Sequence, residues 1–584
     1  MRIKHFFGLA VLAAMTASCS SNNDLVGGGN GSGENESGVS YASFSINLPT
    51  TSGTRADDDP TFDKGDATEY DVFNATLLVF KKPTTETSEG KYTFVESVDL
   101  GSMEPWKNPN ETGVTTQAKI TAKLKNVDKN GDYFALVLLN NGSGADAKVN
   151  LPTEVTTTYS AWNKADNATD KFAKTDKGFY MANAPLFKDN SVTTLVAIDK
   201  NKIFPTEAQA SSGEAAADIY VERGLAKVTL TAATKDKKTV DASSSYAGDE
   251  VTINNWALDV TNKKTFPIHN VDGLTTDYPE IWKNEAPAAP STPSTQRFVD
   301  NSKAIAKRVY WGTDPNYKET NLSAETPESK KARTENFYYI KDEKKDLTAK
   351  PTDPLYCLEN TFNLTNMMQG QTTRVVFKGT YTPKSITLDE NGTFYKIGKN
   401  VALWNSEDLK KHILAAVTKV VADASAEGAS TTITLKGSDN DLTTAGNRML
   451  KASNITVKKA TGDVVTLQTE DVQAINDKLG LSEGYGISTY EKGESYYIAR
   501  IKHFGDALTP WTSGVYGTNN LAYLGRYGML RNNWYELDVK SVSGPGYPEV
   551  PDVKPNTPDD EDDEYIKVSV NILDWAKRSQ DVNL

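Results

Sequence analysis

Ile219-Tyr-Val-Glu-Arg-Gly-Leu-Ala-Lys-Val-Thr-Leu230 sets the structural class of the chain. Val221, Arg223, Leu225, Lys227 and Thr229 share one parity; Tyr220, Glu222, Gly224, Ala226, Val228 and Leu230 share the other. Alternation with period two marks a β-strand, and it is cleanest in the second half. The break near Gly224 predicts a β-bulge. Working outward, strand patterns recur upstream at residues 72–80 and 92–100. The wholly apolar run 133–139 is another, closed by the turn signal Asn140-Asn-Gly142. Downstream, Val251, Ile253, Trp256, Leu258 and Val260 give a strand with a second register break. Residues 337–340, 374–377, 431–435, 496–501 and 534–542 add more. Helical spacing is confined to two stretches, 407–421 and 472–479. Ser406 is the expected N-cap of the first, with Glu407 and Asp408 in its first turn. Elsewhere Thr, Val and Tyr dominate. The predicted class is mainly β with few short helices, arranged as sandwiches of many short strands between polar turns.

At 584 residues the chain is long enough for two to four domains. A mostly small, polar stretch at 205–217 places a boundary near 215. The apolar fraction of 38% suffices for sizeable cores. With 64 basic and 77 acidic residues, the formal net charge is -13, and no long basic tract occurs. A nucleic-acid backbone needs a positive surface, so that partner class is excluded.

The N-terminus carries a short basic region (Arg2 to His5), an apolar run over 6–15, then Thr16-Ala-Ser18 and Cys19. This is the layout of a secretory signal, too short for an ordinary membrane span. A cysteine directly after the small residues fits a lipoprotein signal box, with plain secretion as the alternative. Residues 20–38 are rich in Ser, Asn, Gly and Glu and read as a flexible tether. Acyl chains would hold the protein at a membrane without a spanning helix.

Ala42, Phe44, Ile46 and Leu48 alternate with Ser43, Ser45 and Asn47, a half-buried strand ended by Pro49. Thr51-Ser-Gly-Thr-Arg55-Ala-Asp-Asp-Asp-Pro60 follows, with no core former and one arginine ahead of an acidic patch. Proteases cut in such loops; otherwise Arg55 is an ordinary surface residue. At the other end, Gly544-Pro-Gly-Tyr-Pro-Glu-Val-Pro-Asp-Val-Lys-Pro-Asn-Thr-Pro558 holds five prolines and favours an extended arm. Six acidic residues, Asp559 to Glu564, come next and are expected to stay in water. Then Ile566, Val568, Val570 and Ile572 alternate with Lys567, Ser569 and Asn571, and Trp575 follows. A lone strand is unstable in water, so this one must pair within its own molecule or in another.

Catalytic signatures are absent. There is no HExxH, no GxSxG, no P-loop and no glycine-rich dinucleotide motif. The acidic run lacks the spacing of an EF-hand. The cysteines are Cys19 and Cys357, and the histidines are His5, His269, His412 and His503, widely separated. With Cys19 lipidated, neither a disulfide nor a thiolate metal cluster can be built. Cys357, among Leu355, Tyr356 and Leu358, reads as a buried thiol, and His503 as a surface or packed side chain. Trp511 and Tyr516 are candidates for stacking on a glycan. The expectation is a non-enzyme with no cofactor, no metal and no catalytic residue.

Several pieces together resemble the fimbrillin family of Bacteroidales, the subunits of type V pili, and in particular its stalk subunits. They are the box ending at Cys19, the strand before Thr51-Ser-Gly-Thr-Arg55-Ala, and Val221-Glu-Arg-Gly-Leu-Ala-Lys-Val. Cys357-Leu-Glu-Asn-Thr-Phe, Tyr490-Glu-Lys-Gly-Glu-Ser-Tyr-Tyr and Gly525-Arg-Tyr-Gly-Met-Leu-Arg-Asn-Asn-Trp-Tyr535 also match, as do 566–572 with Trp575 and the closing Asp581-Val-Asn-Leu584. Residues 100–215 and 400–470 match only in general character.

The resemblance implies two transthyretin-like β-sandwich domains plus an extended C-terminal arm and strand. It implies a lipid on Cys19 and a precursor at the outer membrane, attached to the membrane only through that lipid. An arginine-specific surface protease would cut between Arg55 and Ala56 and remove the strand of Ala42, Phe44, Ile46 and Leu48. The C-terminal strand of an identical subunit, with Ile566, Val568, Val570, Ile572 and Trp575, would fill the groove and build a head-to-tail extracellular fibre. Accessory anchor and tip proteins and a host or bacterial receptor are the further partners implied. The expected layout is signal 1–18, tether and removable strand 19–55, sandwiches 56–215 and 216–543, linker 544–564 and donor strand 565–584. The alternatives are a non-polymerising surface lipoprotein that binds glycan or host protein, or a tip or anchor component of the same pili.

Overall fold

The computed structural model describes residues 38–47, 69, 71–102, 117–189, 191–235, 237–279, 298–299, 307–320, 322–343, 347–504, 509, 521–559 and 566–574. The architecture is mainly β, built from several sheets of β-sandwich type. The first sheet runs, in hydrogen-bonding order, Thr93–Gly101, Ala75–Lys81, Tyr133–Leu139, Met181–Asn183, Ala217–Arg223, Ser40–Asn47 and Gln117–Leu124. All its pairs are antiparallel except Ser40–Asn47 against Ala217–Arg223.

The apolar run 133–139 is a strand buried on both faces, the usual place for unbroken hydrophobicity. Ala135, Val137 and Leu139 join Leu77, Val79, Phe44 and Ile219 in one core. Leu136 and Leu138 face the other way, with Leu78, Phe80, Trp162 and Tyr180. Leu225, Ile268, Leu358 and Trp534, from the half of the fold that follows Gly224, belong to that same cluster. The two halves thus share apolar packing rather than meeting through a loose hinge. A further link is the short strand Lys307–Arg308, which pairs with Leu186–Lys188.

A second sandwich packs Leu355–Leu358, Leu225–Leu230, Asn533–Val542 and Ile566–Asp574 over Lys238–Thr239, Glu250–Asp259, Arg374–Thr382 and Glu494–Arg500. Val228, Trp256, Phe377, Tyr497, Tyr535 and Leu537 fill the space between. The predicted register break in Glu250–Asp259 falls between Ile253 and Asn255.

Gly224 is where the structure departs from the expected bulge. Ala217–Arg223 belongs to the first sheet and Leu225–Leu230 to the second, so the chain changes sheets there. The chain passes from one sheet to the other at 224. Glycine is required by close approach: a Cβ at 224 would sit 2.6 Å from the Phe172 ring.

Between two neighbouring strands of the second sandwich, residues 383–493 make an excursion with its own core of Ile397, Leu409, Ile413, Val417, Val457 and Ile475. The expected single C-terminal sandwich therefore carries an added lobe. Phe394 and Tyr490 of this excursion, stacked with ring centroids 4.5 Å apart, enter the core of the sandwich, where Phe394 lies 5.7 Å from the Tyr381 ring. The predicted helices lie in this lobe, as Ser406–Val420 and Thr469–Lys478. The cap of the first is Asn405, not Ser406, its side chain accepting from the Asp408 N–H at 2.8 Å.

The proline-rich arm lies along the second sandwich instead of standing away from it. The carbonyls of Gly544, Gly546 and Pro551 accept from the Tyr497 hydroxyl, the Tyr490 hydroxyl and the Arg374 guanidinium at 3.0, 2.9 and 2.7 Å. The first acidic residue, Asp559, is not solvated as expected: it is fully buried and accepts from Thr372 Oγ1 at 2.8 Å.

Candidate functional site: the seat of the N-terminal strand

Ser40–Asn47 is an interior strand, with both edges bonded. On one side Phe44, Ser45, Ile46 and Asn47 pair in parallel with Ala217, Asp218, Ile219 and Tyr220. On the other it pairs antiparallel along its whole length with Gln117–Leu124. Ala42, Phe44 and Ile46 are fully buried in the first core. The opposite face is not open either, as half-burial would have it. Ser43 and Ser45 are buried as well, and the short helix Glu207–Ser212 covers Ser43. The Ser43 hydroxyl donates to the Ala210 carbonyl at 2.6 Å and lies 2.8 Å from Thr121 Oγ1. The ends are pinned too. Tyr41 and Phe204 exchange backbone hydrogen bonds at 2.7 and 2.8 Å, and the Asn47 amide donates to Asp218 Oδ1 at 2.5 Å.

Of the residues singled out in the sequence, Cys19, Leu48, Arg55, Ala56, Trp511, Tyr516 and Trp575 lie outside the described residues. Ile566, Val568, Val570 and Ile572 lie in the strand Ile566–Asp574, which pairs antiparallel with Asn533–Val542 of the same chain. Their partners are Val542, Val539, Leu537 and Tyr535. The C-terminal strand is thus housed in cis, and the arm does not hold it away.

Chemistry-bearing side chains are spoken for by packing. Burial pushes the Cys357 thiol up to about 12, far from a nucleophile. His503 is packed, its Nδ1 2.8 Å from the Tyr535 hydroxyl. His412 lies against the Trp404 ring. Among the described residues no three His, Cys, Asp or Glu side chains gather as a metal site, and no helix is long and apolar enough to cross a membrane.

Two buried ionic groups at the junction of the halves had no signature in the sequence. In the first, Glu69 pairs with Lys227 at 2.7 Å and accepts from the Tyr356 hydroxyl at 2.6 Å. The Lys227 ammonium also sits 3.9 Å over the Trp534 ring. In the second, His269 Nδ1 lies 2.8 Å from Glu222, and its Nε2 makes an ion-pair contact with Glu359 at 3.3 Å. Arg308 and Arg531 back the two carboxylates at 2.7 and 3.4 Å. Burial alone would lower the His269 pKa, but Glu359 and Glu222 together raise it to about 9. Glu222 stands on the last strand of the first sheet to precede Gly224, and Glu359 follows a strand of the second. These charges bind the halves together. Their partners are far apart in sequence, so no local spacing could reveal them.

Residues 488–581 match the family described as major fimbrial subunit protein type IV, fimbrillin, C-terminal. The match spans Glu494–Arg500, Asn533–Val542, the docked arm and Ile566–Asp574. Comparison with curated proteins gives no match. A fimbrillin C-terminal domain, a domain of structural rather than catalytic proteins, is therefore present over these residues.

Proposed function

We propose that the chain is a structural subunit of a type V fimbrial stalk, polymerising by protease-triggered strand exchange and supporting adhesion and biofilm formation. In this reading residues 1–18 direct export and Cys19 carries the lipid that holds the precursor at the outer membrane. An arginine-specific surface protease cuts between Arg55 and Ala56. The 40–47 strand leaves with the lipid, and the two sandwiches, transthyretin-like in this reading, remain. Residues 565–584 of an identical subunit then enter the vacated seat, repeating into a head-to-tail extracellular fibre completed by accessory anchor and tip proteins.

The observation that supports this most is the interior position of the 40–47 strand. It precedes the segment that bears Arg55, yet it sits between two bonded neighbours and closes an apolar core. Removing it uncovers Phe44's and Ile46's pockets and two strand edges at once, which strongly favours recapture of a β-strand. The fimbrillin match over 488–581 adds family-level support.

The pairing of Ile566–Asp574 with Asn533–Val542 favours a second reading. There the strand is only the last one of its own sandwich, and the chain is a non-polymerising lipoprotein that binds glycan or host protein, or a tip or anchor component. Deleting residues 565–584 separates the two. Strand donation requires that fibres disappear while the mature chain stays folded in thermal unfolding. Undiminished polymer, or collapse of the second sandwich, defeats the donor role.

A further inference from the structure

The seat of the 40–47 strand contains one position with a demand of its own. Ser43 is 1% exposed and lies beneath Glu207–Ser212. Its hydroxyl satisfies the Ala210 carbonyl, one of the last carbonyls of that helix, which have no partner within it. It also meets the Thr121 hydroxyl. Loss of the strand leaves a buried carbonyl and a hydroxyl facing a slot sized for a very small side chain. A buried polar group without a partner is costly, so whatever fills the slot must supply a short donor.

Resting on the strand-exchange reading above, we propose that the C-terminal strand of a second copy docks in one register only, with its Ser569 in the Ser43 slot. Residues 566–574 read Ile-Lys-Val-Ser-Val-Asn-Ile-Leu-Asp, and Ser569 is their single hydroxyl. In the direction of the departed strand, Val568, Val570 and Ile572 then take the places of Ala42, Phe44 and Ile46. In the opposite direction Lys567 takes the place of buried Ser45, so the strand enters in the direction of the one that left. A slip by two residues brings Lys567 or Asn571 under the helix, burying an ammonium or overfilling the slot. A slip by one turns the apolar residues to the wrong face.

Thr121 stands opposite Ser43 in the ladder, with hydroxyls already touching, so paired cysteines there reach bonding distance. Full-length chains carrying Thr121→Cys with Lys567→Cys, Ser569→Cys or Asn571→Cys are expressed in cells that assemble them. Sheared surface material is oxidised in air and run on non-reducing gels. Native Cys357 is buried and does not compete. A covalent ladder of multimers is expected only for the 121/569 pair. Independently, Ser569→Leu should cut fibre yield at least tenfold while leaving monomer unfolding unchanged. Cross-linking through 567 or 571 in place of 569 overturns the register and leaves strand exchange standing. Fibres that lack a ladder in all three pairings and persist without residues 565–584 overturn both.

Discussion

Glu69 and Lys227 form an ion pair at 2.7 Å with both side chains sealed from solvent, tying the first described residue after the proposed cleavage site to the opening strand of the second sandwich. Removing one member strands a buried charge. Glu69→Ala should therefore lower the free energy of unfolding by about 3–5 kcal/mol. Adding Lys227→Met should return much of that loss, because no ammonium is then left unpaired. Chemical denaturation of the two single variants and the double variant checks this; additive losses would mean that the pair is not coupled.

The His269 group gives the fold an alkaline limit. Its pKa is about 9 in the folded chain against 6.5 ordinarily. A raised pKa means that the charged imidazolium stabilises the fold fully below about pH 6.5, and that this contribution fades as pH rises through about 9. Thermal midpoints should fall over that window, and His269→Gln should flatten the fall. Lys148, lowered by burial to about 8, acts with the opposite slope, so the readout is the difference between parent and variant. Equal pH profiles would contradict the assignment.

Gly224→Ala forces a methyl group into the Phe172 ring at the sheet change. A loss of about 1–3 kcal/mol is expected, with the near-ultraviolet spectrum showing the displaced aromatic cluster. Unchanged stability would mean that Phe172 yields freely.

Maturation is tested at two residues. Cys19→Ser should abolish incorporation of labelled fatty acid and surface delivery. Arg55→Ala should leave a longer, lipid-bearing precursor and few fibres, and mature subunits should begin at Ala56 by N-terminal sequencing. A start more than a few residues away defeats the site without touching the assembly reading.

What the sequence disclosed is what local periodicity can carry. Ala42, Phe44 and Ile46 announce a strand by themselves, whereas its interior position depends on Gln117–Leu124 and Ala217–Arg223, remote in the chain. Gln117–Leu124 gives little signal of its own, because Ala118 and Ala122 are weakly apolar. The irregularity at Gly224 was visible, but a bulge and a change of sheet leave the same local trace. Prolines foretold an extended arm; that its carbonyls serve Tyr490, Tyr497 and Arg374 is tertiary information. His269 looked isolated because Glu222 and Glu359 reach it only through the fold.

The bonding of the 40–47 strand on both edges has a mechanical side. A strand held along one edge peels from its end, breaking one hydrogen bond at a time. A strand gripped by Gln117–Leu124 on one flank and Ala217–Arg223 on the other, when drawn along its axis, loads both ladders in shear. Whatever occupies that seat resists a lengthwise pull with many bonds together, and tension passes through the shared packing of Leu78, Phe80, Leu225 and Trp534 into the rest of the chain.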